Sequence, residues 1–194
     1  IRNLELKTDD ELKILKERGV NSLYIGLDSG DASALKFANK GYDSDVALYQ
    51  LKRLEKIGIL HSEGIMLGLM GKGNGVEVGK ATGKFLSKLN PMNIWATSVA
   101  VMPKTKLWNQ IENGEFEESS IYEDFEEMEA FLKEIHVENR VYFSYMPNSR
   151  QFQFQGCLPE DQERLIGQCR TVLDNYTPEK LDQLSERSLL RKRV

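Results

Sequence analysis

Three short stretches hold residues whose types could do chemistry. "YIGLDSG", Tyr24 to Gly30, ends an apolar run in an acid and a hydroxyl, Asp28 and Ser29, with glycines on either side. "GLMGKGNG", Gly68 to Gly75, is a glycine-rich turn, and "VMPKT", Val101 to Thr105, breaks a third apolar run at a proline. In sheets built from strand–helix units, ligands sit at the carboxyl ends of the strands, and all three stretches fall at such ends. Asp28 and Ser29 either deliver polar groups to a ligand there or cap the turn that follows, and the residues alone leave both readings open. The glycine-rich turn invites a phosphate, since backbone N–H groups ahead of a helix attract anions. It fails the sharper motifs. A Walker loop ending at Gly79–Lys80 would need glycine where Asn74 stands and a hydroxyl where Ala81 stands, and a Rossmann fingerprint from Gly73 and Gly75 meets Val78 at its third glycine. The expectation is that these glycines let a backbone approach a ligand or a neighbouring strand closely.

The remaining chemistry-bearing types read as structural. His61 and His136 lie far apart without cysteine or carboxylate at ligand spacing, so no metal site is expected. The acidic stretch from Glu115 to Glu129 alternates with a helical apolar stripe and reads as a solvated face. Cys157 and Cys169 read as small buried hydrophobes, too few for a disulfide framework or zinc knuckle.

With 194 residues, 40% of them hydrophobic and 29% charged, the chain can bury a core of its own. A net charge of −4 argues against nucleic acid as a partner. The absence of a long apolar run argues against a membrane, and the start "IRNLELKTDD" has no signal-like core, so a cytoplasmic location is expected.

Spacing and punctuation set out the elements that must hold these stretches. Thr8 and Glu11 form a capping box ahead of a helix over 9–18 stopped by Gly19, and "NSLYIGL" follows as a strand. Asp43 caps a helix with Ala47, Leu51 and Leu54 inward, ending near Gly58. "ILHSEGIMLGLMG" is a buried strand, Val78, Ala81, Phe85 and Leu89 mark a helix, and "NIWATSVAVM" is a strand stopping at Pro103. That alternation predicts an α/β fold of parallel strands joined by crossover helices. Beyond it, Ser120 and Glu123 box a helix carrying Phe125, Met128, Leu132 and Ile135, "RVYFSYM" is a further strand, and Pro159 opens a helix burying Leu165, Ile166, Cys169, Val172 and Leu173. The division expected is 1–112 for the strand–helix units, 113–176 for a helical extension, and 177–194 for a loosely packed tail.

Six blocks in order, "ELKILKERGVNSLYIGLDSGD", "NKGYDSDVALYQLKRLEKIGI", "GIMLGLMGKGN", "LNPMNIWATSVAVMPKTKLW", "NGEFEESSIYEDFEEM" and "GCLPEDQERLI", resemble the radical S-adenosylmethionine (radical SAM) superfamily. The match is to Fe–S oxidoreductases related to the Elongator-like radical SAM domain, over roughly Leu12 to Leu173. The resemblance implies the second half of a partial (β/α)6 TIM-like barrel. It implies S-adenosylmethionine (SAM) as cofactor, with Asp28 and Ser29 toward its methionine or ribose, Met66 and Gly68 at the adenine, and the backbone of Val101 and Met102 at the adenine edge. "FSYMPN" is similar to a family stretch that keeps Asn148, assigned to substrate, and carries Met146 where relatives have histidine.

One absence separates the chain from that family. The C-x3-C-x2-C segment that holds a [4Fe–4S] cluster has no counterpart, since the chain's two cysteines cannot form it. The parent of such a chain would reductively cleave SAM to a 5′-deoxyadenosyl radical acting on a small or unknown substrate. This piece, starting at Ile1 near the end of the family's third strand, would be inactive by itself. Its uncovered barrel edge and inner face would favour a homo-oligomer. The alternatives are a non-redox nucleotide-binding α/β module, using the 68–75 turn as an anion cradle, and a protein-interaction domain docking through its acidic helix.

Overall fold

The computed structural model describes residues 1–146 and 152–184. Two short amino-terminal helices, α1 (Arg2–Glu5) and α2 (Asp9–Glu17), lead into strand β1 (Ser22–Asp28). Then come α3 (Ala32–Phe37), α4 (Ser44–Ile57), β2 (Leu60–Leu67), α5 (Gly75–Leu86), β3 (Asn93–Ser98), α6 (Lys106–Glu112) and α7 (Ile121–Glu134). The carboxyl-terminal part holds β4 (Val141–Tyr145), β5 (Phe154–Leu158), α8 (Gln162–Asn175) and α9 (Pro178–Leu184). Local chemistry fixes the helix starts. Thr8 and Ser120 each make a reciprocal capping box with the glutamate three residues on, Asp43 accepts from the Val46 N–H, and Gly58, at φ 82°, closes α4 in the left-handed conformation.

The five strands form one sheet in the order β1-β2-β3-β4-β5, parallel from β1 to β4, with β5 antiparallel to β4. The fold is therefore α/β with a mostly parallel sheet, crossover helices and carboxyl-terminal helices, as expected. Side chains alternate across the pleat. Ile25, Leu27, Ile65, Leu67, Ile94, Ala96, Val141, Phe143 and Tyr145 share one buried core with Leu51 and Leu54 of α4, Leu86 of α5, Phe125 and Phe131 of α7 and Leu165 of α8. The opposite face follows the register Tyr24, Ser62, Asn93, Tyr142 and, two residues on, Gly26, Gly64, Trp95, Ser144. No helix covers it among the described residues. Tyr24 is 59% exposed and Trp95 40%, their rings 5.3 Å apart. Tyr24 lies over Gly64, where a Cβ would come within 2.0 Å of its hydroxyl.

Several expectations are corrected. The third strand stops at Ser98 rather than Met102, because β2, its partner, ends at Leu67 where Gly68 turns to φ 75°. For the same reason the second strand does not run on to Gly71. The helix expected from Pro159 begins at Gln162, after a turn. α1, α3, α6, α9 and β5 add to the elements expected from the sequence. The tail is not uniformly loose, since Leu181 of α9 is fully buried. Its last ten residues, 185–194, lie outside the described residues, as does Asn148.

Candidate functional site

Because β1, β2 and β3 are adjacent and parallel, their carboxyl ends share one edge of the sheet. At the first end the register slips between Gly26 and Asp28, and Asp28 sits at φ 69°, a conformation unusual for a residue with a Cβ. Its carboxylate accepts from Lys40 Nζ at 2.6 Å, and the same ammonium donates to the Gly26 carbonyl at 2.9 Å. Ser29 is buried. Its Oγ lies 3.0 Å from Thr82 Oγ1 and accepts from the Asp31 N–H at 3.0 Å, while Asp31 caps α3 through the Ala34 N–H. Ser29 thus ties the tip of β1 to α5, and the Asp28 side chain stays partly exposed, paired with Lys40.

At the second end the sequence reading missed the main feature. The acids of α7 are not all solvated: Asp124 is 0% and Glu127 3% exposed. Glu127 Oε2 accepts from the Gly68 N–H at 2.8 Å, Glu123 Oε1 from the Gly73 N–H at 2.8 Å, and Asp124 Oδ1 from the Ser119 hydroxyl at 2.8 Å. A Cβ at Gly68 would fall 2.2 Å from Ser119 Oγ, and one at Gly79 2.3 Å from the Glu127 carbonyl oxygen. The glycines therefore serve close approach to α7, a helix rather than a strand. Gly75, Gly79 and Gly83, four apart, place a side-chain-free stripe against it, and that spacing was the available signal. Burial, with Asp124 close by, pushes the Glu127 carboxyl up to about 8 despite the Gly68 N–H.

At the third end Val101 packs with Val99, Leu69, Met66, Ala34 and Val78 in a small apolar cluster separate from the main core. Met102 is 55% exposed, and Thr105 caps α6. Asp28 and Met66 line a common crevice with Thr82, Gly79 and Glu127, too narrow to admit water. The structure thus puts Asp28 beside Met66 in one crevice and Met66 beside Val101 in one apolar cluster, ties Gly68 to Glu127, buries Ser29, and leaves Met102 more than half exposed.

Elsewhere, His61 does have carboxylate partners, contrary to the expectation. Its Nδ1 lies 2.5 Å from Glu63 Oε1 and its Nε2 3.3 Å from Glu55 Oε1. Burial alone would lower its pKa, but the two carboxylates outweigh that and hold it above the usual histidine value. Glu63 is fully buried, its pKa raised by desolvation. The three stand in a row with histidine in the middle, and no group of three metal-ligating side chains converges among the described residues. Cys157 is half-buried on β5, and Cys169 is buried on α8, its thiol pushed up to about 12 by burial. No described helix is long and apolar enough to cross a membrane.

No family profile and no curated protein matches the chain. Among solved structures, it is similar to an archaeal Elp3 from Methanocaldococcus infernus with its N-terminus (1–46) deleted, at TM-score 0.57 and 18% identity. That likeness covers 75% of this chain and 33% of the other, so this chain spans about a third of its neighbour's length.

Proposed function

We propose that the chain supplies part of the SAM site of a radical SAM Fe–S oxidoreductase. Two lines support the reading. The six sequence blocks resemble that superfamily, and the fold is similar to that of an Elp3, a radical SAM-family protein. The observation that carries it is the position of Met66, which lines one crevice with Asp28 and joins one apolar cluster with Val101, just beyond neighbouring parallel strand ends. In this reading Asp28, already balanced by Lys40, accepts hydrogen bonds from the ribose or amino-acid part of the cofactor. Met66 and Val101 give apolar contact to adenine, Gly68 sets the backbone beside it, Met102 offers backbone groups at its edge, and Ser29 holds the tip of β1. Asn148 is kept as a proposed substrate contact, and the cytoplasm as the compartment.

A [4Fe–4S] cluster does not fit the residues present. Two thiols on separate elements, one of them strongly protonated, cannot supply three thiolates. In this reading the ligands belong to residues outside the chain, which by itself is inactive.

The nucleotide-module alternative has less support, because two N–H groups of its anion cradle already bind the protein's own carboxylates. A phosphate would have to displace Glu127 and Glu123 beside Asp124. The docking-helix alternative loses Asp124 and Glu127, which point inward. Calorimetry with SAM and with ATP tests the choice: SAM binding more tightly than ATP, weakened by Asp28→Ala, is the expected result. Tighter binding of ATP would overturn it, and stoichiometric cluster uptake on anaerobic reconstitution would overturn the account of the missing ligands. For the open sheet face we propose a second copy of the chain as cover.

A further inference from the structure

We propose that α7 clasps the β2–α5 turn, with Glu127 and Glu123 as positioning residues that set Gly68 and, through it, the place of Met66 in the ligand site. The proposal rests on the SAM reading for its ligand but on independent geometry for the clasp. The turn from Gly68 to Gly75 has left-handed residues at Gly68, Gly71 and Gly73, so its backbone has no helix or strand ladder to hold it. Besides local bonds from the Gly71 N–H to the Gly68 carbonyl and from Asn74 to the Met70 and Lys72 carbonyls, it is held from outside at both ends. The Gly68 and Gly73 N–H groups donate to Glu127 and Glu123, and between them the Lys72 N–H donates to the Glu117 carbonyl at 3.0 Å. All three acceptors come from α7 or the segment just before it.

Glycine at four positions makes the clasp possible. Side chains at Gly68, Gly71, Gly75 or Gly79 would each collide with that segment or helix: with Ser119, the Glu117 carbonyl, Glu127 Oε2 and the Glu127 carbonyl. Glu127 also lines the narrow crevice that Asp28 and Met66 line, so a displacement of its carboxyl reaches both of them. The ionisable groups around it are Asp124 on its own helix, whose charge acts on it, and Asp28 at the end of β1, which lines the same crevice and is paired with Lys40. α5 presents Gly75, Gly79 and Thr82 to it, and β2 presents Ile65 and Leu67, none of them charged. The clasp therefore takes a different charge on either side of pH 8: near neutrality Glu127 accepts from Gly68 as an uncharged acid, and above that it becomes an anion next to Asp124.

Amide exchange and chemical shifts of the turn, read by NMR on the whole chain, test the clasp, and SAM calorimetry on the same variants tests its link to the ligand. Glu127→Ala should speed exchange at Gly68 by about tenfold or more, while Glu127→Gln, which keeps an acceptor, should stay close to wild type. The Gly68 amide shift should titrate with a midpoint near 8 in the wild type and stay flat in Glu127→Gln. SAM affinity should fall in Glu127→Ala and be restored in Glu127→Gln at pH 7. An unchanged Gly68 exchange rate in Glu127→Ala, or an amide that titrates equally in Glu127→Gln, overturns the clasp. A released Gly68 with unchanged SAM affinity overturns the positioning role. A wild-type chain that ignores SAM while Gly68 still titrates rejects the SAM reading and upholds the clasp.

Discussion

The two faces of the sheet are built from the same strands, a residue apart, and have opposite fates. On one, Ile94, Phe143 and Tyr145 are fully enclosed by helices. On the other, Tyr24 and Trp95 meet solvent with their rings side by side, and Tyr142 is exposed too, its hydroxyl donating to Gln155 Oε1. Apolar area removed from water stabilises at roughly 25 cal/mol per Å², so the covered face carries the fold's free energy and the open face carries little. The difference shows that an exposed aromatic here is not a failed core position. It belongs to a face that adds little to the fold's own stability.

Substitutions can break this contrast. The largest expected effect is Phe131→Ala, which removes a buried ring stacked on Phe143 at 5.9 Å and should cost about 3–5 kcal/mol in denaturant unfolding. Next is Gly79→Ala. Helix propensity alone would make it stabilising by about 1 kcal/mol, but its methyl meets a backbone oxygen that cannot swing aside, so a net loss of about 2 kcal/mol is expected. A gain in stability would mean that α5 and α7 are not in close contact.

Stability should also fall as pH rises from about 4.5 to 8. Over that range the unfolded Glu127 is ionised while the folded one keeps its proton, so the native state binds more protons and loses ground with each step upward. Glu63, raised by burial, and His61, raised by its carboxylates, act in the same direction. The expected loss is a few kcal/mol by thermal or urea unfolding, and Glu127→Gln should flatten much of it.

Smallest should be Trp95→Ala, within about 1 kcal/mol for a dilute monomer. If it costs as much as Phe131→Ala, the two faces are not different in solution. Light scattering over a concentration series sharpens the point: a second copy on the open face should give a mass that rises with concentration, and that rise should vanish in Trp95→Glu. A mass that stays monomeric removes the proposed cover.

The α/β alternation was legible because each element carries its own local signal. Capping boxes at Thr8 and Ser120, the stop at Gly58 and the apolar runs of β1 to β3 act within a few residues of where they stand. What stayed hidden depends on distant partners. Nothing near Glu127 says that it meets an N–H 59 residues away, and its neighbours Glu126 and Glu129 suggest water instead. The end of β3 is set by where β2 turns, and α3 and α6, at six and seven residues, are too short for a periodic pattern. His61 and Glu63, two apart on one strand, did offer a readable pair, since alternate residues of a strand share a face. Of the candidate site, the end of β1 was legible in the sequence, whereas the ends of β2 and β3, the inward turn of Ser29 and the left-handed backbone of Asp28 were not.

The reversed direction of β5 settles which flank of the sheet can grow. A barrel of strand–helix units extends only by adding further strands that run the same way, and beyond β4 that sequence is broken by a neighbour running backward. β1 is the sheet's other edge among the described residues, and at its carboxyl end Lys40 and Tyr42 already donate to the Gly26 carbonyl, Tyr42 reaching the Leu27 carbonyl as well. A further parallel strand would therefore pair with β1 and, at the end that carries Asp28, would displace the Lys40 and Tyr42 contacts.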